Sequence, residues 1–263
     1  MTAEQAPAGI NPSEPSIARI YDFWLGGKDN YEADRDEATR LERLMPELPL
    51  IARQNRSFLI RAVRLLSTEG VDQFLDLGAG LPTAENTHEV AQGINPSSRC
   101  VYVDNDPMAI VHGRALLAND GETAMVAADL RNPQAILDRP DVTALIDFDR
   151  PVAVLIVSVL HFIPGDTAYK IVRQVVDRLA PGSYLVLSHA LKTSRTEAAA
   201  NEYRAAKAEV RTRREIEAFF EGLELVEPGL VSLTEWRPGP SEKAPSEQPP
   251  SETLPFLCGV GRT

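Results

Sequence analysis

Residues 71–80 read VDQFLDLGAG. Val71, Phe74, Leu75 and Leu77 make an apolar run of strand length, and the run stops on Gly78 and Gly80. Glycine at the end of a strand lets the main chain turn sharply and bring its amides close to a bound molecule. Four later stretches share the texture: RCVYVDND at 99–106, TAMVAADL at 123–130, PVAVLIVSVLHF at 151–162 and GSYLVLSHA at 182–190. Each is short, apolar and rich in strand-forming residues, with helix-compatible sequence between them. That alternation predicts βαβ units, and so an α/β fold on a parallel sheet.

Working outward, the stretch from Asp166 places Ile171, Val172, Val175, Val176 and Leu179 on one helical face and stops at Pro181-Gly182. An Ala-rich helix is expected over about Thr196–Val210, and Thr212 with Glu215 forms a capping box for another through Phe219 and Phe220. LELVEPGLVSL (223–233) and LPFLCGVGR (254–262) read as the last two strands, joined by a Pro/Ser/Glu stretch at 237–253 too polar to pack, hence a mobile loop. Upstream, residues 1–15 read as a disordered tail, and 16–70 as a helical cap or lid of three helices over the domain at 71–263. The cap's first helix carries Ile17, Ile20, Tyr21, Trp24 and Leu25 at helical spacing. It stops on Gly26-Gly27, which reads as a hinge before the polar run Lys28–Tyr31.

A formal net charge of −11 argues against a partner with a nucleic-acid backbone. The longest apolar run, PVAVLIVSVL from Pro151, is too short to span a bilayer, and MTAEQAPAG at the start lacks a basic segment followed by an apolar one. These features predict a cytoplasmic protein with no membrane partner. Cys100 and Cys258 lie in strand-like runs and read as buried free thiols. No feature specifies an oligomeric state.

The strand ends carry the chemistry. A dinucleotide turn shows G-x-G-x-x-G, with the third glycine letting a helix close on a pyrophosphate; here Thr83 stands in that place, after Pro82. Asp76, two residues before Gly78, suits a cationic amine instead, so the turn reads as built for an amino-acid moiety. Asp104 ends the second strand, where a carboxylate accepts both hydroxyls of a ribose, while Asp106 before Pro107 can cap the next helix. Asp129 ends the third strand, where an acid can take the exocyclic amine of adenine or simply face solvent. His161 and His189 close later strands; each reads as a general base or as a histidine satisfied by the main chain. Neither has the carboxylate neighbours of a metal site. The cluster Arg53-Gln54-Asn55-Arg56 could orient a carboxylate or form a solvated helix face.

The order of D-x-G-x-G, an acid ending strand two, A-D-L ending strand three, S-V-L-H-F ending strand four and then P-G-S-Y-L-V-L-S resembles the class I S-adenosylmethionine-dependent methyltransferases over about Val71–Thr263. S-I-A-R-I-Y-D-F-W-L-G-G-K-D-N-Y together with D-L-G-A-G-L-P-T is similar to a bacterial subfamily of predicted methyltransferases whose substrate is unassigned. The resemblance implies a Rossmann-like sheet of seven strands, the last antiparallel, with an N-terminal helical cap. It implies S-adenosyl-L-methionine as cofactor. Asp76, Gly78, Ala79 and Gly80 would line the methionine end, Asp104 and Asn105 the ribose, and Asp129 and Leu130 the adenine, with Ser158 and Tyr21 also on the cofactor and His161 as base. Tyr21 and Trp24 would roof the site and exclude water, with Tyr21 or the Lys28–Tyr31 run bordering the acceptor, although both aromatics could equally glue the helix to the core. Strand four lacks an N/D-P-P-aromatic tetrapeptide, which with the acidic charge favours a small-molecule O or N acceptor. The rival readings are an NAD-dependent oxidoreductase and a non-catalytic protein that senses S-adenosylmethionine or adenosylhomocysteine.

Overall fold

The strand run at 71–80 is the centre of the sheet. The computed structural model describes residues 9–83, 85–117, 121–239 and 254–263. Five parallel strands, β1 (Gln73–Leu77), β2 (Arg99–Asp104), β3 (Thr123–Ala127), β4 (Ala153–Val157) and β5 (Tyr184–Ala190), lie side by side in the order β3-β2-β1-β4-β5. Strand order reverses between β1 and β4, so a crevice opens at their C-terminal ends. The last strand, β8 (Phe256–Arg262), runs antiparallel to β5, and its other edge pairs with two short pieces, β6 (Glu224–Leu225) and β7 (Val231–Ser232). The expected sixth strand is thus split among the described residues, because Pro228 lacks the amide a ladder requires and the chain turns back through Gly229.

Successive residues of a strand face opposite sides, and each side has its own core. Phe74 and Leu155 pack with Phe58, Ala62 and Leu66 of helix α3 (Leu48–Thr68); helices α4 (Thr87–Gln92) and α5 (Pro107–Leu116) complete that layer. Leu75 and Val154 face the opposite layer, formed by α6 (Pro133–Leu137), α7 (Pro140–Thr143), α8 (Thr167–Val176) and α10 (Arg213–Glu217). Both cysteines are free and buried in the first of these cores. Trp236, fully buried at the start of the Pro-rich stretch, meets the Phe58 ring edge-on at 5.2 Å. The rest of that stretch, 240–253, lies outside the described residues, as do residues 1–8 of the expected tail.

The expected cap at 16–70 divides in two. α3 is an integral layer helix, whereas α1 (Ile17–Trp24) and α2 (Glu32–Glu42) stand over the C-terminal edge with their own small core of Ile20, Trp24, Ala38 and Leu41. A buried ion pair, Arg19 Nε to Asp34 Oδ2 at 2.7 Å, joins the two helices. Asp34 also accepts from the amides of Ser16 and Tyr31, the residues that precede α1 and α2. Arg19 further donates to the carbonyls of Asn11 and Glu14, which ties that part of the expected tail to the cap. Of the expected Gly26-Gly27 hinge, Gly27 is packed, since a Cβ on it would lie 1.9 Å from the Asp22 carboxylate, which also accepts from the Asp29 amide and Asn30, whereas nothing lies within 4 Å of that position on Gly26.

The Ala-rich helix α9 (Ser194–Glu202) ends eight residues before the expected Val210. α2 causes the stop. Glu37 takes the Arg204 amide at 2.8 Å, and Arg40 donates to both the carboxylate and the carbonyl of Glu202, so the bonds that would continue the helix go elsewhere. Residues 203–210 then run as irregular chain beside the crevice.

Candidate active site

At the crevice lies one cavity of about 680 Å³, lined by the ends of β1–β5 and roofed by α1, α9 and the 203–210 segment. The strand-end residues singled out in the sequence meet there: Asp76, Gly78, Ala79, Gly80, Asp104, Asn105, Asp129, Leu130, Ser158 and His161 each contribute to the wall, and Tyr21 reaches it from α1.

The glycine turn works differently from the sequence expectation. Gly78 and Ala79 donate their amides to the Val103 carbonyl at 2.8 and 3.2 Å, and Gly80 donates to Asp104 Oδ2 at 2.8 Å. The amides are therefore spent inside the protein, and the turn offers close approach of bare main chain instead of free donors. The two glycines also differ. Gly78 has φ +80 and a Cβ there would sit 2.5 Å from Val159 Cγ2, so packing forbids a side chain. Gly80 has φ +68 and nothing within 4 Å of its Cβ position; its bare edge faces open cavity.

Two carboxylates flank the turn, Asp76 buried and Asp104 half-buried. Asp76, 4% exposed, accepts from Thr87 Oγ1 at 2.9 Å, and burial pushes its pKa up to about 6 against the smaller opposing pull of that bond and of the Arg56 charge. Asp104 takes the Gly80 amide on one oxygen and the Asp106 amide on the other, both at 2.8 Å, and burial again raises its pKa. The Asn105 main chain also hydrogen-bonds to it, which leaves a carboxylate of about four lone-pair sites room for a further donor. Asp106 caps α5 through the amides of Met108 and Ala109, as the sequence suggests, and accepts a bond from Ser16 Oγ that ties the cap to this turn. Asp129 is half-buried and held by Arg131, whose Nε lies 2.9 Å from each oxygen and whose hydrogen bonds keep the carboxyl below its usual range.

Arg56, on α3, lines the cavity near Asp76. Its Nη2 donates to the Glu85 carbonyl at 2.8 Å, while its buried Nε finds no hydrogen-bond partner. Arg53, its neighbour in the sequence cluster, is exposed and away from the cavity.

On the far side of β1, Ser158 ends β4 in a left-handed conformation, φ +62, uncommon for a residue with a side chain. A relay of hydrogen bonds holds it: the Ser158 amide donates to Ser188 Oγ (2.9 Å), Ser188 Oγ to Asn55 Oδ1 (2.6 Å), Asn55 Nδ2 to Tyr21 Oη (2.9 Å), and Tyr21 Oη to the Ala52 carbonyl (3.1 Å). Tyr21 is thereby both a wall of the cavity and an anchor. Trp24 packs in the cap core and sends its indole N–H to Glu42 at 3.0 Å, while its edge also lines the cavity. The Lys28–Tyr31 run is absent from the wall; Asn30 is tied to Asp22, and Tyr31 is buried under Arg19.

The two strand-end histidines part company. His189 is satisfied: Nδ1 lies 2.8 Å from the Ala190 carbonyl and Nε2 lies 2.8 Å from Arg211 Nη1, which assigns the neutral ring with its proton on Nδ1. His161 lines the cavity, 8% exposed, with a buried Nδ1 that has no partner; burial and the neighbouring His189 and Arg211 hold its pKa well below the usual value. Arg211, a residue the sequence reading passed over, is the hub beneath this region. It donates to the carbonyls of Leu160, Ile163 and Gly165 and packs over the rings of Tyr169 and Phe219. No spacing marks it, because its partners are main-chain atoms about fifty residues upstream.

A parallel sheet whose strand-end carboxylates and glycine turn share one cavity at the point of strand reversal defines an α/β protein that binds a nucleotide-type cofactor. The chain belongs to the S-adenosyl methyltransferase family, whose model matches residues 3–263. A crystal structure of a candidate methyltransferase from Thermobifida fusca is 46% identical, covers 98% of both chains and superposes with a TM-score of 0.91. The crystal structure of a DUF574 family protein from Streptomyces avermitilis is 40% identical, covers 95% of this chain and 98% of its own, and superposes with a TM-score of 0.89. A Mycobacterium marinum protein described as a candidate S-adenosyl-L-methionine-dependent methyltransferase is 27% identical over 241 residues, covering 89% of this chain and 70% of its own. The protein is an S-adenosyl-L-methionine-dependent methyltransferase, which sets aside the oxidoreductase. Among the described residues, no helix is long and apolar enough to cross a membrane.

Proposed function

We propose that the protein methylates an oxygen or nitrogen of a small molecule, with S-adenosylmethionine held on the β1–β3 side of the cavity. The observation that carries this reading is the bare Gly80 edge, open to the cavity and bonded to an Asp104 carboxylate that itself lines the cavity. Asp104 and Asn105 would take the ribose, Asp129 and Leu130 the adenine, and the Asp76–Ala79 strand end the methionine portion. Arg56 completes the methionine end. Its guanidinium lines the cavity beside Asp76 and is suited to an α-carboxylate, as ionised Asp76 is to an α-ammonium, so the pair receives a zwitterion. When bound, the cofactor supplies an electrophilic methyl on a sulfonium. The protein's part is to align an acceptor with it, to exclude water beneath α1 and α9, and to leave the acceptor proton a path out.

Calorimetry with adenosylhomocysteine and with methylthioadenosine, which lacks the amino-acid end, tests each half of the assignment. Asp104→Ala weakens both ligands by ten- to a hundredfold, a loss of roughly 1.5–3 kcal/mol for a charged hydrogen bond. Arg56→Met and Asp76→Asn weaken adenosylhomocysteine alone. Unchanged affinity in Asp104→Ala removes the ribose assignment; equal losses for both ligands in Arg56→Met remove the zwitterion clamp.

A further inference from the structure

The cavity is divided in charge. Among its lining residues, the ionised side chains are Arg56, Asp76, Asp104, Asp106, Asp129 and Arg131, and apart from Arg56 all sit at or just after the ends of β1, β2 and β3. The wall beyond β4, built from the lower turns of α3, the turn at 160–163, α9 and the 203–210 segment, contributes no acid, lysine or arginine. Apart from Asn55 and Thr196, its side chains are apolar or aromatic, with the small residues Ala199, Ala200, Ala205, Ala206 and Ala208 leaving the space open. A charged acceptor placed here would lose its hydration and meet no ionised side chain in the wall, since Arg211 behind His161 is spent on main-chain carbonyls, at a penalty of several kcal/mol per ion. Aliphatic amines carry a proton at neutral pH, their pKa lying near that of lysine at about 10.4, and so are disfavoured with carboxylates and phosphates.

Within this wall the rings gather around His161. His161 lies 4.3 Å from Phe162 and 5.7 Å from Phe256, measured between ring centroids, and Phe162 lies 5.3 Å from Tyr203, all tilted or edge-on. Such rings offer faces and edges to a further planar ring. Of the buried side-chain polar atoms without partners among the described residues, two belong to cavity-lining residues: Arg56 Nε and His161 Nδ1. His161 Nδ1 is closed off from the cavity, so the ring nitrogen left to meet a ligand's hydrogen-bonding group is Nε2, which is not among those buried atoms.

We infer that the acceptor is an uncharged aromatic compound methylated on a phenol-type hydroxyl, with its ring among Phe162, Tyr203 and Phe256 and its hydroxyl bonded to His161. This rests on the cofactor placement proposed above. A phenol suits the chemistry because its pKa, near that of tyrosine at about 10, lets the proton leave without a strong base, whereas the shielded neutral imidazole of His161 is suited to accept a hydrogen bond and a weak proton acceptor. In the transfer the hydroxyl oxygen's electron pair forms the new O–C bond. The C–S pair stays on sulfur as the neutral thioether, and the hydroxyl proton passes by way of His161 to water.

The test uses the purified full-length protein and a panel on one ring skeleton: 2-naphthol, 2-naphthylamine, 6-hydroxy-2-naphthoate and 2-(aminomethyl)naphthalene. Each is titrated by calorimetry into protein saturated with adenosylhomocysteine and assayed for transfer from methyl-labelled S-adenosylmethionine. The expected result is binding and methylation of 2-naphthol, with the two charged congeners weaker by at least about tenfold, the effect of 1.4 kcal/mol. His161→Leu lowers kcat/KM for 2-naphthol by about tenfold with adenosylhomocysteine affinity unchanged, and His161→Gln recovers most of it. Preference for a charged congener, methylation of the naphthylamine in place of the naphthol, or no binding by 2-naphthol overturns the inference while the cofactor assignment stands. Failure of adenosylhomocysteine itself to bind overturns the cofactor placement, and this inference with it.

Discussion

The two halves of the cavity are built by opposite means. On the β1–β3 side, charged groups lie within a few residues of strand ends and are held by bonds within one strand end or between adjacent strands: Gly80 on Asp104, Asp106 on its own helix, Arg131 on Asp129. Beyond β4, the wall is apolar and assembled from segments far apart in the chain, with α1, α9 and the 203–210 segment converging through Asn55, Arg211 and the Glu37–Arg204 bond. The first half is suited to a ligand of constant chemistry, recognised by charge. The second is shaped by tertiary contacts, so its form can change without disturbing the cofactor side.

The largest expected effect breaks the second half at its hub. Arg211→Met removes donors to three carbonyls and to His189, a loss on the order of 4 kcal/mol at about 1 kcal/mol net per bond. It is read as the shift in urea midpoint. A midpoint equal to wild type would show that residues 160–165 and 211 are held by packing alone.

Next in size is the pH dependence of the first half. The Asp76 carboxyl has an ordinary value of 3.8 and stands near 6 in the fold, so the native state binds this proton more tightly than the unfolded chain. The stability it contributes is fully present below pH 4 and is lost as pH rises through 6, about 3 kcal/mol in all at 1.36 kcal/mol per unit. Adenosylhomocysteine affinity moves the other way, rising with pH up to about 6 as the carboxylate that faces the ammonium ionises, then levelling. Asp76→Asn should flatten both profiles and stabilise the ligand-free protein at pH 7. A wild-type affinity that is flat between pH 5 and 7 would separate Asp76 from the ammonium.

The two glycines sharpen the contrast within a single turn. Gly78→Ala should cost about 1–3 kcal/mol more than Gly80→Ala in denaturant unfolding, because only the former drives a methyl into Val159. Both share the backbone penalty of about 1–2 kcal/mol for a left-handed alanine. Gly80→Ala should in turn weaken adenosylhomocysteine more than it weakens the fold, and equal unfolding losses in the two variants would contradict the packing difference. The smallest effect is Tyr21→Phe, which removes one acceptor and one donor from the relay to Ser158 and lowers stability by about 1 kcal/mol, read from thermal melts. Cofactor affinity stays at the wild-type level if the relay serves the acceptor half.

The same contrast governs what could be read in advance. The strand-end acids and glycines were legible because each sits in a strand–turn–helix unit whose pieces are adjacent in sequence, and βαβ topology brings such units to one edge of the sheet. The lid was only half legible. α1 carries helical spacing, but whether Trp24 faces ligand or core depends on Glu42 and Ala38, which periodicity does not rank. The turn amides were misread, since Val103 and Asp104 claim them from the neighbouring strand. The length of α9 was misread because Glu37 and Arg40, on a helix 160 residues earlier, outbid its own carbonyls.

The sequence by itself determined the α/β class, the strand order's chemistry and the carboxylates at the ends of β1, β2 and β3, because period-2 apolar runs and local turn residues act over a few positions. Only the tertiary structure decided that His189 is satisfied while His161 lacks a partner at Nδ1, that Arg56 faces the cavity and Arg53 does not, and that the far wall carries no charge. Those outcomes depend on which distant groups share a buried volume, where each hydrogen-bonding atom finds a partner or goes without one.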